Sequence, residues 1–221
     1  MEGDLSNWSG CRVPGDDPLV GRYARLERFT RSHLEGLYGA IGGANNDHLW
    51  EYIPIGPFDS AAALGGALDF TQEALGWYLY VICDHKSQAI LGVAGLMRVR
   101  PEHGSLEVGC VIFSERLKRS VIATDAMQLL ARYVFEDLCY RRYEWKCNND
   151  NEASHKAARR LGFKFEGVFR QDMVVKGQNR DTAWYSMLDK EWPHLKQRFE
   201  AWLSPENFDE QGRQKKSLCQ R

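Results

Sequence analysis

The sequence of 221 residues predicts one mixed α/β domain, in which a twisted, mostly antiparallel sheet carries helices on both faces. Apolar residues alternate with polar ones in several short segments, as in strands, and recur with a helical period in others. Three of the predicted strands are joined by short turns, which favours antiparallel neighbours. One strand–helix–strand segment requires instead a parallel, right-handed crossover, so the sheet should contain one parallel pair.

The amino-terminal half begins with a strand and two helices. Residues 22–29 alternate between polar and bulky apolar side chains, which is typical of a strand. Residues 31–41 carry apolar side chains at helical spacing, and Ser60 can cap a second helix that continues to about residue 75. Between these helices, residues 45–58 are rich in aromatic and turn-forming residues and are predicted to form a loop.

The second half alternates strands and helices. An antiparallel meander over 77–83, 89–98 and 106–113 leads into a long amphipathic helix over 122–138. The remaining predicted elements are a strand at 142–147, a helix at 151–161, a strand at 164–175, a loop at 176–180, a strand at 182–188 and a helix at 193–202. We therefore expect a flexible lead over residues 1–20, one domain over 21–190, and a helix with a polar tail over 191–221.

Composition restricts the class of function. The chain has 29 Lys and Arg against 30 Asp and Glu, a net charge of -1, which argues against nucleic-acid binding through bulk positive charge. No apolar run approaches membrane-spanning length, and the first residues lack a basic-then-apolar signal, so we expect a cytoplasmic protein with no membrane partner. The six cysteines form no C-x-x-C pair, so we predict reduced thiols and no metal site.

A basic turn precedes the long helix and suggests a phosphate-bearing ligand. Lys118 and Arg119 stand directly before Ser120, which is placed to cap the helix. Cations at a helix amino terminus are unfavourable with respect to the helix dipole unless something compensates them, and a pyrophosphate would do so. The other reading of these two side chains is a solvated pair at the helix start.

The order of elements and three local motifs resemble the GNAT acetyltransferases, and within them the ribosomal-protein N-acetyltransferase-like (RimJ/RimL-type) branch. The motifs are the basic turn, the pair Asn151 and Ser154 at the start of the next helix, and the run from Leu161 to Gly167 after it. The resemblance extends over roughly residues 21 to 190. It implies the GNAT fold, acetyl-CoA as the donor co-substrate, and an amine acceptor, either a protein N-terminus or a small molecule.

The resemblance also implies which residues bind the donor. The main chain of 111–113 should hold the pantetheine arm, and a bulge near Gly109 and Cys110 should free an N–H for the acyl oxygen. The residues expected to bind acetyl-CoA are Val111, Ile112, Phe113, Lys118, Arg119, Ser120, Val121, Ile122, Ala123, Thr124 and Asn151. Val121 departs from the family pattern, which has glycine there; valine disfavours positive φ and close backbone approach, unless the loop is helical from Ser120 onward.

Two residues are expected to carry the chemistry. Glu107 is the candidate base, because a carboxylate on a half-buried strand can have a raised pKa; its alternative role is an ion pair with Arg98 or Arg100. Glu144 is the second candidate for the base. Ser154 is expected to protonate the leaving thiolate, its alternative being a surface residue in a helix start that Asn149 and Glu152 cap.

The acceptor site is predicted from two aromatic regions, the loop between the first two helices and the last strand. Its expected residues are Trp50, Tyr52, Arg180 and Tyr185, with core packing beneath the loop as the alternative for Trp50. A closed site would favour a small amine and an open groove a peptide. His155 is expected on the surface. A non-catalytic, CoA-binding or partner-binding module is the alternative function, and the protein is expected to be a monomer or a homodimer.

Overall fold

The computed structural model describes residues 5–219, and within them eight strands form one sheet. The strands are β1 Leu19–Val20, β2 Ala24–Arg28, β3 Tyr78–Asp84, β4 Ile90–Arg100, β5 Ser105–Phe113, β6 Arg142–Asn148, β7 Lys164–Val175 and β8 Gln178–Leu188. Their order across the sheet is β1-β2-β3-β4-β5-β6-β8-β7, and β5 with β6 is the parallel pair. The predicted mixed sheet with one parallel crossover is confirmed.

Five α-helices cover the two faces of the sheet in the described chain. They are α1 Leu34–Ile41, α2 Ala61–Glu73, α3 Val121–Arg132, α4 Glu152–Leu161 and α5 Trp192–Leu203. Side chains of α1 and α2 pack on one face with Leu79, Val81 and Val93, whereas α3, α4 and α5 pack on the other with Leu106 and Val108. We call these the α1–α2 face and the α3 face. The hydrophobic core therefore has two halves, one on each face of the sheet, and each is covered by the apolar sides of its own helices.

Three local predictions need correction. The two-residue strand β1 pairs with β2 and was not predicted. The predicted loop over 176–180 is instead a tight hairpin turn, since β8 begins at Gln178. Lys176 and Gly177 have φ values of 50° and 75°, the left-handed pair that a two-residue hairpin requires. The predicted helix over 122–138 is α-helical to Arg132 and continues as a π-helical turn.

Both ends of the described chain lie against the domain. The N–H of Gly15 donates to the hydroxyl of Tyr133 at 2.8 Å, and the indole N–H of Trp8 donates to a backbone carbonyl at 2.8 Å. Near the carboxyl end, Leu218 is buried and its carbonyl accepts from Arg198. Residues 1–4 and 220–221, parts of the predicted lead and tail, lie outside the described residues. No helix in the described part of the chain is long and apolar enough to cross a membrane.

Candidate active site

The parallel strands β5 and β6 separate partway along their length. They pair only where Ser105–Val108 lie beside Arg142–Trp145. Beyond this point residues 109–113 of β5 remain paired with β4 but have no partner in β6. The backbone N–H and C=O groups of 109–113 that point away from β4 are therefore left for another extended partner. The gap opens at the carboxyl ends of both strands, where the amino termini of α3 and α4 also lie.

A β-bulge lies at the start of this free edge. Gly95 pairs with Gly109 and Val93 with Ile112, so two residues of β5 stand opposite one residue of β4. Cys110 takes a left-handed backbone conformation, with φ of 48°. A bulge of this kind leaves an extra residue out of the ladder and turns its peptide group. The predicted bulge near Gly109 and Cys110 is confirmed.

The amino terminus of α3 is formed as its capping residue suggests. Ser120 is the N-cap: its hydroxyl oxygen accepts from the N–H of Ala123 at 3.1 Å. The left-handed residue of the preceding loop is Arg119, with φ of 60°, and Val121 is already the first helical residue. The structure therefore needs no glycine at Val121. The first helical N–H groups, at Val121 and Ile122, have no intrahelical acceptor and point out of the helix end.

Lys118 and Arg119 have different surroundings. Lys118 donates to Glu115 at 2.6 Å, and His48 is 2.9 Å from the same carboxylate. These two contacts, that of His48 first, lower the pKa of Glu115 to about 2. Arg119 is exposed and has no ion-pair partner within the described chain. Arg119 is thus the more available of the two cations at the helix end.

Two further residues expected to bind the donor are used within the protein. Thr124 is buried, and its hydroxyl accepts from Arg160 at 3.0 Å, so its side chain is not presented to a ligand. Ala123 is buried and its N–H is taken by Ser120. The side chain of Ile112 is also buried, so only its backbone faces the gap. The helix end itself therefore offers Arg119, Val121 and Ile122.

Asn151 and Ser154 lie together at the start of α4. The side-chain oxygen of Asn151 accepts from the N–H of Ser154 at 3.0 Å, so Asn151 caps the helix, and not Asn149, which was weighed as the alternative. The hydroxyl oxygen of Ser154 accepts from the indole N–H of Trp145 at 2.9 Å. This bond uses the oxygen as an acceptor and leaves the hydroxyl proton to be donated elsewhere. Cys147, on the same strand as Trp145, lies beside the hydroxyl.

Glu107 belongs to a buried group of charges on the α1–α2 face of the sheet. It lies opposite Glu144 across the parallel pair, and both are nearly inaccessible to solvent. The ammonium of Lys146 bridges them, 2.8 Å from Glu107 and 3.0 Å from Glu144. Arg98 adds a longer contact to Glu107, at 3.3 Å, which is one of the pairings weighed for this residue.

The two buried glutamates differ in proton affinity. Burial raises the pKa of Glu107 above its ordinary value, against the opposing charge of Lys146. Burial acts in the same direction on Glu144, but hydrogen bonds from Arg142 and Lys146 together hold its pKa below the ordinary value. Arg142 donates to Glu144 at 2.8 Å, and Arg100 does so at 3.0 Å. Glu107 is consequently the better proton acceptor of the two near neutral pH.

A cleft of about 260 Å³ opens beside this group of charges. Its lining residues are Arg98, Val99, Arg100, Lys146 and Trp184. The ammonium of Lys146 lies 3.7 Å from the centre of the Trp184 ring, a cation–π contact that fixes both side chains. Trp184 lies on the last strand, one of the two regions from which the acceptor site was predicted, whereas the other four residues lie on β4 and β6.

The predicted acceptor residues fall into two groups. Trp50 and Tyr185 are fully buried, so their assignment as acceptor contacts is corrected: Trp50 donates to the carbonyl of Ile41 at 2.7 Å and is a core residue beneath the loop. Tyr185 packs within the α3 face. Tyr52 and Arg180 are partly exposed and remain candidates.

Two contacts were not foreseen from the sequence. His155 is buried rather than exposed: its Nε2 is 2.9 Å from the carbonyl of Asn149 and therefore donates, so Nδ1 accepts from the hydroxyl of Tyr185 at 2.5 Å. Lys176, at the tip of the β7–β8 hairpin, donates to the carbonyl of Trp50 at 2.8 Å. The hairpin thus contacts the loop between α1 and α2, and the two predicted acceptor regions meet. Only the buried partners, invisible in a linear pattern, distinguish His155 from a surface histidine.

Comparison with known proteins identifies close relatives of this chain. The family model described as "Acetyltransferase (GNAT) domain" matches residues 24–164. A crystal structure of a GCN5-related N-acetyltransferase from Brucella melitensis is 42% identical, covers 97% of each chain and has a TM-score of 0.93. The uncharacterized N-acetyltransferase YoaA of Bacillus subtilis is 30% identical over 74% of this chain and 92% of its own length. YdaF of the same organism, provisionally described as a ribosomal N-acetyltransferase, is 31% identical over 47% of this chain and 56% of its own.

Proposed function

The chain belongs to the GNAT family of N-acetyltransferases, and on that premise we propose that it transfers the acetyl group of acetyl-CoA directly to a primary amine within a ternary complex. The sequence-based predictions of this family and of the α/β fold are confirmed, and the similarity to YdaF is consistent with the ribosomal-protein acetyltransferase-like branch. The donor, the acceptor and the order of binding are the proposal.

The observation that carries the proposal is the separation of β5 and β6. The free edge of residues 109–113 suits the amide-containing pantetheine arm, which can pair with it as an additional strand does. At the same end of the sheet, α3 presents Arg119 and its first N–H groups, a site that suits a pyrophosphate. The extended arm and the charged end of one donor molecule thus both find a complementary surface.

The side chains around the gap supply the proton transfers. In the reaction the amine nitrogen forms a bond to the thioester carbonyl carbon, and the carbon–sulfur bond breaks to release the thiolate of CoA. Glu107, with its raised pKa, accepts the proton that the amine loses. Ser154, held by Trp145, donates its hydroxyl proton to the thiolate and regains a proton from solvent. The turned peptide group at the Gly109–Cys110 bulge is placed to donate to the carbonyl oxygen as it gains charge.

Direct transfer fits the residues that flank the gap. Cys110 and Cys147, the two thiols nearest the bulge and Ser154, are buried, and burial raises the pKa of each. A protonated, buried thiol is a poor nucleophile, so neither thiol favours an acetylated enzyme intermediate. The alternative of a non-catalytic module rested on Val121, and the helical conformation of Val121 removes that reason for it.

Calorimetric titration with acetyl-CoA, followed by an assay of thiol release, tests the proposal. We expect one saturable site for acetyl-CoA, similar affinity for desulfo-CoA, and little affinity for ATP, which lacks the pantetheine arm. Release of CoA thiol should then depend on an added amine. Saturable binding without thiol release for any amine would favour the non-catalytic module, and absence of binding would refute the assignment of the gap.

A further inference from the structure

The cleft beside Glu107 presents a positive surface. Of its five lining residues, Arg98, Arg100 and Lys146 are cations, and no acidic side chain lines it. The carboxylates of Glu107 and Glu144 lie beneath the cations, with side chains 8% and 3% exposed. A molecule that enters the cleft therefore meets guanidinium groups first.

The two arginines have most of their hydrogen-bonding capacity left. The side chain of Arg98 is 56% exposed and makes one ion pair, at 3.3 Å to Glu107; that of Arg100 is 45% exposed and makes one, at 3.0 Å to Glu144. A guanidinium carries five N–H donors in a planar fork that matches a carboxylate or a phosphate. Lys146, in contrast, is only 4% exposed and is used between the two glutamates. The unused donors are thus concentrated on the arginines.

A second β-bulge brings Arg98 to this face. Met97 pairs with Glu107 and Arg100 with Ser105, so Arg98 and Val99 together stand opposite a single residue of β5. Met97 packs within the α1–α2 face and Val99 against the α3 face. In a regular strand successive side chains alternate, so Arg98, which comes after Met97, would lie on the α3 face. Its guanidinium instead contacts Glu107 on the α1–α2 face. The bulge therefore redirects Arg98 toward the candidate base.

The backbone at Arg98 makes this redirection specific. Its φ of 48° is left-handed, a conformation that glycine or asparagine adopts more easily than arginine. A bulge that served only to bend the strand would be better formed by glycine. The arginine side chain is thus the feature that the bulge presents, in the same way that bulges re-aim side chains beside active sites.

We propose that the acceptor is a small amine that also carries a carboxylate or a phosphate, which Arg98 and Arg100 bind while Glu107 takes the amine proton. The inference rests on the proposed function, since it names the acceptor of the same site. Arg98 and Glu107 are in contact, so the anionic group and the amine lie only a few bonds apart. The cleft has a volume of about 260 Å³, which favours a small acceptor over a long peptide.

Paired acceptors test this inference. We would measure thiol release with β-alanine against β-alaninamide, with O-phosphoethanolamine against ethanolamine, and with a peptide beginning with aspartate against the same peptide beginning with asparagine. We expect kcat/KM to be about 10-fold or more higher for the acidic member of a small-molecule pair, as charge-assisted recognition predicts. The first two pairs distinguish a carboxylate from a phosphate. A preference seen only in the peptide pair would contradict the small acceptor.

Variants connect the preference to the two arginines. In Arg98→Gln/Arg100→Gln the ratio of kcat/KM for the acidic over the neutral amine should fall about 10-fold, mainly through KM, while the Kd of acetyl-CoA stays the same. Arg98→Gly fits the left-handed backbone and should lower the ratio in the same direction, which covers the case of a poorly folded double variant. Arg170→Gln, at an exposed arginine on β7, is the matched control.

Four further results would overturn the inference. The first is that neutral amines are acetylated as efficiently as acidic ones. The second is that the ratio of kcat/KM for acidic over neutral amines is unchanged in folded arginine variants. Thiol release that fails with every amine, although acetyl-CoA binds, would refute transfer itself and this inference with it. Selective use of neutral amines would refute the inference alone and leave the proposed function intact.

Discussion

The donor and acceptor sides of the site are formed in different ways. The donor side consists mainly of backbone: the free edge of 109–113, the bulge at its start and the amino termini of α3 and α4. The acceptor side consists of side chains from β4, β5, β6 and β8 that meet on one face of the sheet. Substitutions should therefore affect the two sides unequally, since a side chain can be removed and a backbone edge cannot.

The largest effect is expected at the candidate base. Glu107→Gln should lower kcat/KM about 100-fold or more, in the range of general-base catalysis, and leave the Kd of acetyl-CoA unchanged. Because burial raises the pKa of Glu107 and the base must be ionised, kcat/KM of the native enzyme should rise with pH through a pKa above the ordinary value for glutamate. Steady-state kinetics across pH should show that this rise of kcat/KM is absent from the variant. If the rise is preserved, another group than Glu107 causes it.

Glu144→Gln provides the comparison for that variant. Arg142, Arg100 and Lys146 all contact Glu144, so its replacement should leave several cations with one acceptor fewer and lower thermal stability. The folded-state pKa of Glu144 is lowered, so its contribution to stability is present above the unfolded pKa and is lost as pH falls through the folded value. Thermal melts between neutral and acidic pH should converge for native and variant protein. A larger loss of kcat here than in Glu107→Gln would make Glu144 the base.

A smaller effect is expected at Ser154. Ser154→Ala removes the proton donor to the thiolate and should lower kcat by roughly 10-fold, with little change in acetyl-CoA affinity, because water can replace the hydroxyl in part. Ser154→Cys, which keeps a proton donor of similar size, should recover part of the rate. Single-turnover measurements separate this step from product release. Unchanged turnover in Ser154→Ala would remove the acid role.

The charge at the helix end should matter less again. Arg119→Ala should weaken acetyl-CoA binding by about 3- to 5-fold at low salt, and by less at high salt, as for an exposed ionic contact. Lys118→Ala should have less effect, since Lys118 is held by Glu115. Arg116→Ala, at a neighbouring exposed arginine, is the control. Calorimetric titration at two ionic strengths measures all three; equal binding throughout would place the pyrophosphate elsewhere.

The smallest effect is expected where the hairpin meets the loop. Lys176→Met removes the hydrogen bond to the carbonyl of Trp50 and should raise the KM of the acceptor about 2-fold, without changing the Kd of acetyl-CoA. Relaxed selectivity toward larger amines should accompany the change. If acetyl-CoA affinity changes instead, the contact supports the donor side.

The same division explains which parts of the site the sequence could predict. The cap at Ser120 follows from local residue types, so a linear pattern was sufficient, whereas the bulge at Gly109–Cys110 was implied by the family resemblance. Membership in the family followed from the order of such elements. Arg98 was weighed as an ion-pair partner of Glu107, but the bulge that turns it toward Glu107 could not be predicted, because in an alternating strand Arg98 belongs to the opposite face.

Long-range packing explains the remaining errors. The polar atoms of Trp50 and Tyr185 suggested contact with the acceptor. The ring nitrogens of His155 suggested a surface position. In the fold their partners include the carbonyl of Ile41 at the end of α1 and that of Asn149 in the turn after β6, which no periodicity in the sequence brings together with them. Aromatic residues with satisfied polar groups pack as core residues.

A crystal structure of the protein with CoA would test the central claim most directly. The account predicts that the pantetheine arm lies along 109–113 with its amides within hydrogen-bonding distance of the β5 backbone, and that the pyrophosphate contacts the first N–H groups of α3. It also predicts that the cleft of Arg98 and Arg100 remains clear of CoA. A pyrophosphate bound to those arginines, or an arm that does not enter the gap between β5 and β6, would contradict the division into a backbone donor side and a side-chain acceptor side.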